Sequence, residues 1–196
     1  YMPAFGHITE AKLHDRRAAK LLNLAAGSIV AMDRAYNDYR LFSDWTDQGV
    51  FFVTRLKENA LFEVVEKREL PQKSNITADQ VIRLTGTDAD KKCPHLLRRV
   101  VVWDEDHERE IVLLTNHLKF GSTTVSAIYK ERWEIEIFFK TLKQNLKIKT
   151  FVGTSENALR IQIWTALLTI LLLKWMHHIS KAGWSLSNLA SLLRMN

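Results

Sequence analysis

Residues 129–147 contain no proline or glycine, and their spacing predicts one uninterrupted helix. At about 100° per residue, six polar side chains fall on one stripe of this helix: Tyr129, Arg132, Glu136, Lys140, Lys143 and Lys147. Helices that need only solubility mix both charge signs on their outer face. A single carboxylate in a basic stripe favours a site that holds a metal ion beside a phosphodiester chain. For Lys140 and Lys147, the alternative of a solvated face stays open.

Basic charge is unevenly distributed along the 196 residues, which carry a net charge of +6. Between Glu58 and Glu110, nine Lys and Arg residues stand against twelve Asp and Glu residues, a net of −3, so the rest of the chain carries +9. The net charge by itself would be consistent with a mildly basic soluble protein. The concentration of positive charge outside this stretch instead favours an acidic polymer as partner.

The number of cysteines and the hydropathy of the chain indicate its cellular compartment. Cys93 is the single cysteine, which excludes an intrachain disulfide and a metal–thiolate cluster and fits a reducing cytoplasm. The longest uncharged apolar run, residues 161–173, is short for a membrane span, so we predict a buried core helix there. We therefore expect a cytoplasmic protein without a membrane segment.

The order of predicted elements indicates an α/β fold. Helices and strands alternate at first, as in a parallel α/β layer: helix 10–26, strand 28–33, helix 38–47 and strand 50–55. Four further strands predict an antiparallel β insertion: 61–67, 81–84, 96–103 and 110–115. Long helices then return. The predicted division of the chain is therefore 1–57, 58–116 and 117–196.

Charged residues follow the first two predicted strands. Asp33 ends the first strand, and Arg55 and Lys57 close the second. Ligands of open α/β sheets bind beyond the carboxyl ends of the strands. An aspartate at a strand end is often only a helix cap, and that alternative stays open. If Asp33 meets Glu136, the two carboxylates would suit Mg²⁺, and two such ions about 4 Å apart would favour in-line displacement at phosphorus.

Two motifs resemble those of bacterial insertion-sequence DDE transposases. The spacing Tyr129-x2-Arg132-x3-Glu136-x6-Lys143 is similar to the signature of the IS-four-like branch. Asp33-Arg34-Ala35-Tyr36 resembles the Asp-Arg-Gly-Tyr element around the second catalytic aspartate, with Ala35 in place of the usual glycine. Two further segments resemble those that flank the family's insertion: Thr54-Arg55-Leu56-Lys57 and Leu114-Thr115-Asn116.

The resemblance implies a ribonuclease-H-like core with a β insertion before the catalytic helix, and two Mg²⁺ or Mn²⁺ ions in the complete site. Asp33 and Glu136 would be the second and third members of an Asp-Asp-Glu triad. Arg132 and Tyr129 would contact phosphate near the scissile bond. The resemblance and the helix stripe together predict a further set of DNA contacts: Lys143, Arg55, Lys57, Arg34, Lys140 and Lys147.

The same resemblance implies transposon-end and target double-stranded DNA as partners, a homodimer in the synaptic complex, and a place at the bacterial nucleoid. The family's first aspartate lies upstream of anything that matches this chain, which begins Tyr1-Met2-Pro3. We therefore expect an N-terminally truncated chain that cannot cleave DNA. A non-catalytic DNA-binding remnant or regulator and a resolvase-like nuclease are the alternatives. For Trp103, ordinary packing is favoured over stacking on an unpaired base.

Overall fold

The computed structural model of the chain describes residue 19 and residues 22–146, 155–180, 183–185, 188–189 and 191, with the backbone alone for 141–146. The chain divides into two compact units. The sheet unit is Ala11–Trp133, and the helical unit is Tyr1–Glu10 with Glu134–Asn196. Most of the predicted helix 10–26 lies outside the described residues, and residues 22–25 are not helical.

A short parallel strand pair opens the described part of the sheet unit. Strand β1 (Ile29–Ala31) pairs with β2 (Phe51–Arg55), and Ile29 lies opposite Phe51. Both segments are apolar runs, which suits strands buried between layers. The predicted strands are therefore confirmed, and their carboxyl ends lie at the same edge of the sheet.

Helix α1 (Tyr39–Asp47) connects these strands, as the sequence predicts. The Asp38 carboxylate caps its first turn by accepting hydrogen bonds from the amides of Arg40 and Leu41. Gly49, at φ +70°, ends the turn that follows. On the buried face of α1, the ring of Phe42 stacks on Phe52 of β2 at 4.3 Å between centroids.

Four antiparallel strands complete a six-stranded sheet of order β1-β2-β6-β5-β4-β3. Their bounds are β3 Phe62–Lys67, β4 Ile76–Leu84, β5 Leu97–Asp104 and β6 Arg109–Thr115, with the short helix α2 (Ala89–Lys92) between β4 and β5. Strand β6 pairs with β2, so the strands of the predicted insertion extend the same sheet. Strand β4 begins earlier than residue 81, the predicted start.

Each face of the sheet is covered by its own hydrophobic cluster. Phe42 and Trp45 of α1 pack against one face together with Phe52 and Leu114. On the other face, helix α3 (Ser122–Glu131) buries Val125 against residues that include Val53, Val100 and Leu113. Helix α3 therefore lies across the sheet face opposite α1.

The helix predicted over 129–147 is interrupted. Helix α3 ends at Glu131, and α4 (Trp133–Leu146) begins after Arg132. The amide of Arg132 donates to the carbonyl of Tyr129 at 3.1 Å, a tight turn of the kind that ends helices. The prediction of one continuous helix is therefore wrong, because the Arg132 amide bonds to the carbonyl three residues earlier, where a continuous α-helix would bond four residues earlier. The six polar residues do not share one helix.

The helical unit contains α4 and helix α5 (Glu156–Ile179), which the Ser155 hydroxyl caps. Phe138 of α4 is buried in a cluster with Ile170 and Leu173 of α5. By length and composition, α5 is the one helix among the described residues that could cross a membrane, and 17% of its most apolar window is buried. The predicted burial of this helix is therefore not found, because its apolar residues occur on all sides and the described unit covers few of them.

Candidate active site

Asp33 lies two residues after the end of β1, at the start of a 3-10 helix formed by Arg34–Tyr36. Its Oδ1 atom accepts a hydrogen bond of 2.9 Å from the amide of Ala35, so Asp33 is a cap, as the simpler interpretation proposes. The side chain is 45% exposed, and its Oδ2 atom faces Arg132. Capping thus occupies one carboxylate oxygen and fixes the direction of the other.

Asn37 joins the turn after Asp33 to the end of β2. It is 5% exposed, and its side-chain amide donates to the carbonyl of Arg55 at 2.8 Å. Its Oδ1 atom accepts from the hydroxyl of Thr54, also at 2.8 Å. Since buried amides are costly to leave unpaired, this arrangement fixes the two strand ends relative to each other.

Three predicted DNA-contacting cations surround this junction. Arg34 is exposed and forms an ion pair of 3.1 Å with Glu58. Arg55 is the last residue of β2 and is half-buried. The ammonium of Lys57 lies 3.5 Å from the carbonyl of Asn37. The carboxyl ends of β1 and β2 therefore carry one acid and several bases, as the sequence predicts from the strand order.

Arg132 brings the end of α3 to Asp33. Its Nη1 atom lies 3.8 Å from Asp33 Oδ2, and its side chain is 14% exposed. The guanidinium also lies over two rings, 5.4 Å from the centroid of Tyr129 and 5.9 Å from that of Trp133. Aromatic faces attract cations, so Tyr129 supports Arg132 from below. The two sequence motifs thus meet inside the sheet unit.

The remaining predicted residues belong to the helical unit. Glu136 is exposed in the first turn of α4, and Lys140 is exposed one turn later. Lys143 lies on α4, where the structure gives backbone only, and Lys147 lies outside the described residues. The assignment of these four side chains to DNA or metal stays a prediction.

The chemistry of Asp33 fits a hard divalent cation. Mg²⁺ is bound in proteins by one or two carboxylates together with substrate oxygens and water. Asp33 Oδ2 is directed by the cap and reachable from solvent. Over the described ranges, no three His, Cys, Asp or Glu side chains form a group that could hold a metal. Asp33 is thus a carboxylate of the right type, and other ligands would have to join it.

Comparison with known families decides what this chain is. The family model of the transposase DDE domain matches residues 4–172. The chain belongs to the transposase DDE domain family. The match runs through Asp33 and the segment from Tyr129 to Lys143. The predicted kinship with insertion-sequence DDE transposases is thereby confirmed at the level of the family.

Curated relatives agree with this assignment. The y4zB protein of Sinorhizobium fredii, named as a transposase, is 33% identical over 176 residues, which are 88% of this chain and 49% of the relative. A Geobacillus stearothermophilus protein, named for the transposase of insertion sequence element IS5377, is 31% identical over 157 residues, 80% of this chain and 41% of the relative. The chain thus spans about half the length of the curated relatives it matches.

A third relative comes from Synechocystis and is named for the transposase of insertion sequence element IS4SA. It is 32% identical over 164 residues, which are 79% of this chain and 43% of the relative. All three names refer to transposases, and two refer to insertion sequences.

A buried ion pair that sequence reasoning missed supports the entry into α3 of this DDE domain. Arg98 and Asp79 are each 3% exposed and form two hydrogen bonds, of 2.8 and 2.6 Å. Arg98 also donates to the carbonyl of Phe120, and Arg68 donates to that of Leu118. The loop that leads into α3 is therefore held from below by two arginines.

Asn116, which the sequence indicated only as part of a family-like segment without a role, lies directly after β6. Its Oδ1 atom accepts from the amide of Phe52 at 3.0 Å, and its amide donates to Thr46 and to the carbonyl of Val50, both at 2.9 Å. The available indication was an asparagine directly after an apolar strand. Its partners lie more than sixty residues away in the chain, so spacing could not identify them.

Two further side chains of the sheet unit have distinct settings. Trp103, for which the sequence favours ordinary packing, is 39% exposed near the end of β5. Cys93 is buried, and burial raises the pKa of its thiol to about 11. A thiol with a raised pKa is a poor nucleophile.

Proposed function

We propose that this chain is the catalytic part of a DNA transposase from a bacterial insertion-sequence element of the IS-four-like branch. The observation that carries the proposal is the approach of Arg132 to Asp33 at 3.8 Å. These residues belong to two different motifs, and a shared functional site accounts for their meeting. The family match supports the reaction class.

In the proposed architecture, a ribonuclease-H-like core is divided by a β insertion. Residues 1–57 and 117–196 would form the core, and residues 58–116 the insertion. The parallel pair of β1 and β2, with α1 between them, supports the first part. The antiparallel strands from β3 to β6 support the insertion.

The proposed reaction is phosphodiester hydrolysis followed by strand transfer. Asp33 and Glu136 would hold Mg²⁺ or Mn²⁺, and the bound metal would stabilise negative charge on the attacking and leaving oxygens. Water attacks phosphorus first, and the bond from that phosphorus to the 3′ oxygen of the element breaks. The free 3′ hydroxyl then attacks a phosphorus of target DNA, and the bond to the target's own 3′ oxygen breaks, leaving a 3′ hydroxyl on the target strand. Arg132 has five N–H donors in a planar fork, which suits a phosphate close to Asp33.

Further parts of the proposal concern DNA and assembly. Arg34, Arg55 and Lys57 would contact the DNA backbone near the strand ends. Lys140, Lys143 and Lys147 would do so from the helical unit. The partners would be the transposon end and target duplex, joined in a homodimeric complex in the bacterial cytoplasm, at the nucleoid. The two motifs supply two acids of the proposed Asp-Asp-Glu triad, so we expect that the 196 residues alone do not cleave DNA.

The test uses a longer protein that carries this chain, together with a plasmid that bears the element's ends. We expect nicking at those ends in Mg²⁺ or Mn²⁺ that is lost in Glu136→Gln, while duplex binding is kept. Persistent nicking in this variant would refute the site assignment. Binding without nicking in the unmodified protein would favour a DNA-binding remnant. Nicking by the isolated 196 residues would refute the view that they lack a ligand.

A further inference from the structure

A cavity of about 300 Å³ lies in the sheet unit, beside the loop that follows β2. The lining comes from Arg55 at the end of β2, from this loop, from Phe62 of β3, from Arg99 of β5, and from Glu110 and Val112 of β6. This volume is at the lower end of pockets that bind small ligands. Three of the lining residues are cations, namely Arg55, Lys57 and Arg99, whereas Glu58 and Glu110 are acids.

Arg99 has an unusual setting for an arginine. It is half-buried in the middle of β5, and its Nη1 atom donates to Gln80 at 2.8 Å. Its guanidinium lies over the ring of Phe62, at 5.4 Å from the centroid. The Nε atom is buried and has no hydrogen-bond partner among the described residues. Burial lowers the pKa of Arg99, and the charge of Glu110 partly opposes that effect.

The acids of the pocket only partly neutralise its cations. Glu58 forms an ion pair of 3.1 Å with Arg34, which is not a lining residue. Glu110 accepts a hydrogen bond of 3.4 Å from Thr77 and is exposed. Arg55, Arg99 and Glu110 have no ion pair within 4.0 Å among the described residues, so two unpaired arginines line the pocket together with one unpaired acid. An anion is the ligand that this charge distribution favours.

Two residues of the pocket lining also contact Asn37, in the turn that follows Asp33. Lys57 lines the pocket and also places its ammonium 3.5 Å from the carbonyl of Asn37. The carbonyl of Arg55, another lining residue, accepts from the side chain of Asn37. The pocket thus begins where the turn after Asp33 joins β2.

We propose that this pocket is a phosphate subsite, in which Arg99 and Lys57 bind a phosphate group of a DNA strand and Glu110 is the counterion that the phosphate displaces. The inference rests on the proposed function for the identity of the strand. The planar guanidinium of Arg99, which lies over the ring of Phe62, suits a planar contact with phosphate oxygens.

The test compares charge changes inside the pocket with the same changes outside it. Arg83 and Glu63 form an exposed ion pair of 2.8 Å on β4 and β3, and neither lines the pocket. Arg99→Gln is therefore matched by Arg83→Gln, and Glu110→Gln by Glu63→Gln. Affinity of the 196-residue chain for duplex DNA is measured by fluorescence anisotropy at several salt concentrations.

We expect Arg99→Gln to weaken binding about tenfold and to reduce the slope of log affinity against log salt by about 0.9, the loss of one phosphate contact. Glu110→Gln should strengthen binding several-fold, and Arg99→Lys should keep most of the slope. Each control should change affinity by less than half as much. Equal effects of Arg99→Gln and Arg83→Gln, or of Glu110→Gln and Glu63→Gln, would overturn the subsite.

A second measurement separates the subsite from the proposed function. The Arg99 Nε–H signal in nitrogen-edited spectra is followed during titration with thymidine 5′-monophosphate, inorganic phosphate and thymidine. Shifts with the two phosphates and not with thymidine support the subsite, and no shift with either phosphate overturns it. If the signal shifts with the phosphates but the chain does not measurably bind duplex DNA, the pocket binds phosphate, and the proposal that this phosphate belongs to DNA is refuted. Duplex binding that is indifferent to Arg99 would refute the subsite alone.

Discussion

Arg132 Nη1 lies 3.8 Å from Asp33 Oδ2, although the two residues belong to opposite ends of the sheet unit's sequence. Two local contacts position these side chains. The amide of Ala35 holds one oxygen of Asp33, and the ring of Tyr129 lies beneath the guanidinium. A carboxylate and an arginine are thereby fixed side by side, an arrangement that suits a metal ion and a phosphate as neighbouring ligands.

Replacing Asp33 by Asn should abolish DNA cleavage by a longer protein that carries this chain. The change removes the charge that a divalent cation needs and keeps an oxygen able to cap Ala35. We expect cleavage to fall by at least about 100-fold while the unfolding midpoint stays the same. Asp44→Asn, at an exposed position of α1, is the matched control and should cleave normally. Plasmid nicking in Mg²⁺ measures both.

Two substitutions of Tyr129 should separate its ring from its hydroxyl group. Tyr129→Phe keeps the ring under Arg132, so stability should change by less than about 0.5 kcal/mol. If the hydroxyl binds phosphate, as proposed, duplex affinity should fall about tenfold, the worth of one hydrogen bond to a charged group. Tyr129→Leu should also lower stability, because the ring packs against the cluster under α3. Unchanged affinity in Tyr129→Phe would limit Tyr129 to supporting Arg132.

Asn37→Ala should loosen the junction that carries Asp33. The change leaves the Thr54 hydroxyl and the Arg55 carbonyl without their side-chain partner, at a cost of about 2–3 kcal/mol. Urea unfolding would give the loss directly. Asn75→Ala removes an exposed hydrogen bond to the carbonyl of Trp103 and should cost less than about 1 kcal/mol. Equal losses in the two variants would contradict a special role for Asn37.

Arg98→Met should destabilise the sheet unit by about 3–5 kcal/mol, because it leaves Asp79 charged and buried without its partner. The double variant Arg98→Met with Asp79→Leu should recover much of that loss. Arg83→Met breaks an exposed pair and should cost less than about 1 kcal/mol. Chemical denaturation of the four proteins forms the comparison. No recovery in the double variant would mean that the Phe120 carbonyl contact carries most of the effect.

Because of Cys93, the free energy of unfolding should fall as pH becomes alkaline. Burial raises the pKa of its thiol from 9.0 to about 11. The folded state therefore holds the proton more tightly, so this contribution is fully present below pH 9.0 and is lost as pH rises through about 11. Relative to Cys93→Ala, the wild type should lose about 1 kcal/mol per pH unit in that window. Urea unfolding at pH 8, 9 and 10 measures the difference, and parallel curves would contradict it.

Local patterns predicted the first strands and the helix between them. Asp38 is a good N-cap, Gly49 tolerates positive φ, and the apolar runs around residues 30 and 52 have the length of strands. Because β1 and β2 are parallel, their order also predicted that Asp33, Arg55 and Lys57 share one sheet edge. Each of these inferences needs only neighbours in sequence and the geometry of regular elements.

The buried polar residues whose hydrogen bonds hold the elements around the site in place could not be predicted in the same way. Asn37 pairs with Thr54 across 17 positions, and Asn116 with Phe52 across 64. Arg98 and Asp79 lie among the charges of an acidic segment and look like solvated residues until β4 and β5 pair. The break at Arg132 occurs where no proline or glycine stands. In each case the partner is distant in the chain, so the spacing of residues in the sequence does not indicate the contact.

The sequence by itself determined the family, the order of strands and helices, and the two motifs that contain Asp33 and Glu136. These follow from residue types at fixed spacings, which local backbone geometry and the family pattern both constrain. Only the tertiary structure decided that β6 pairs with β2, that α3 ends at Glu131, and that Arg132 faces Asp33. Such contacts depend on burial and pairing between distant segments, and these exist only once the sheet has formed.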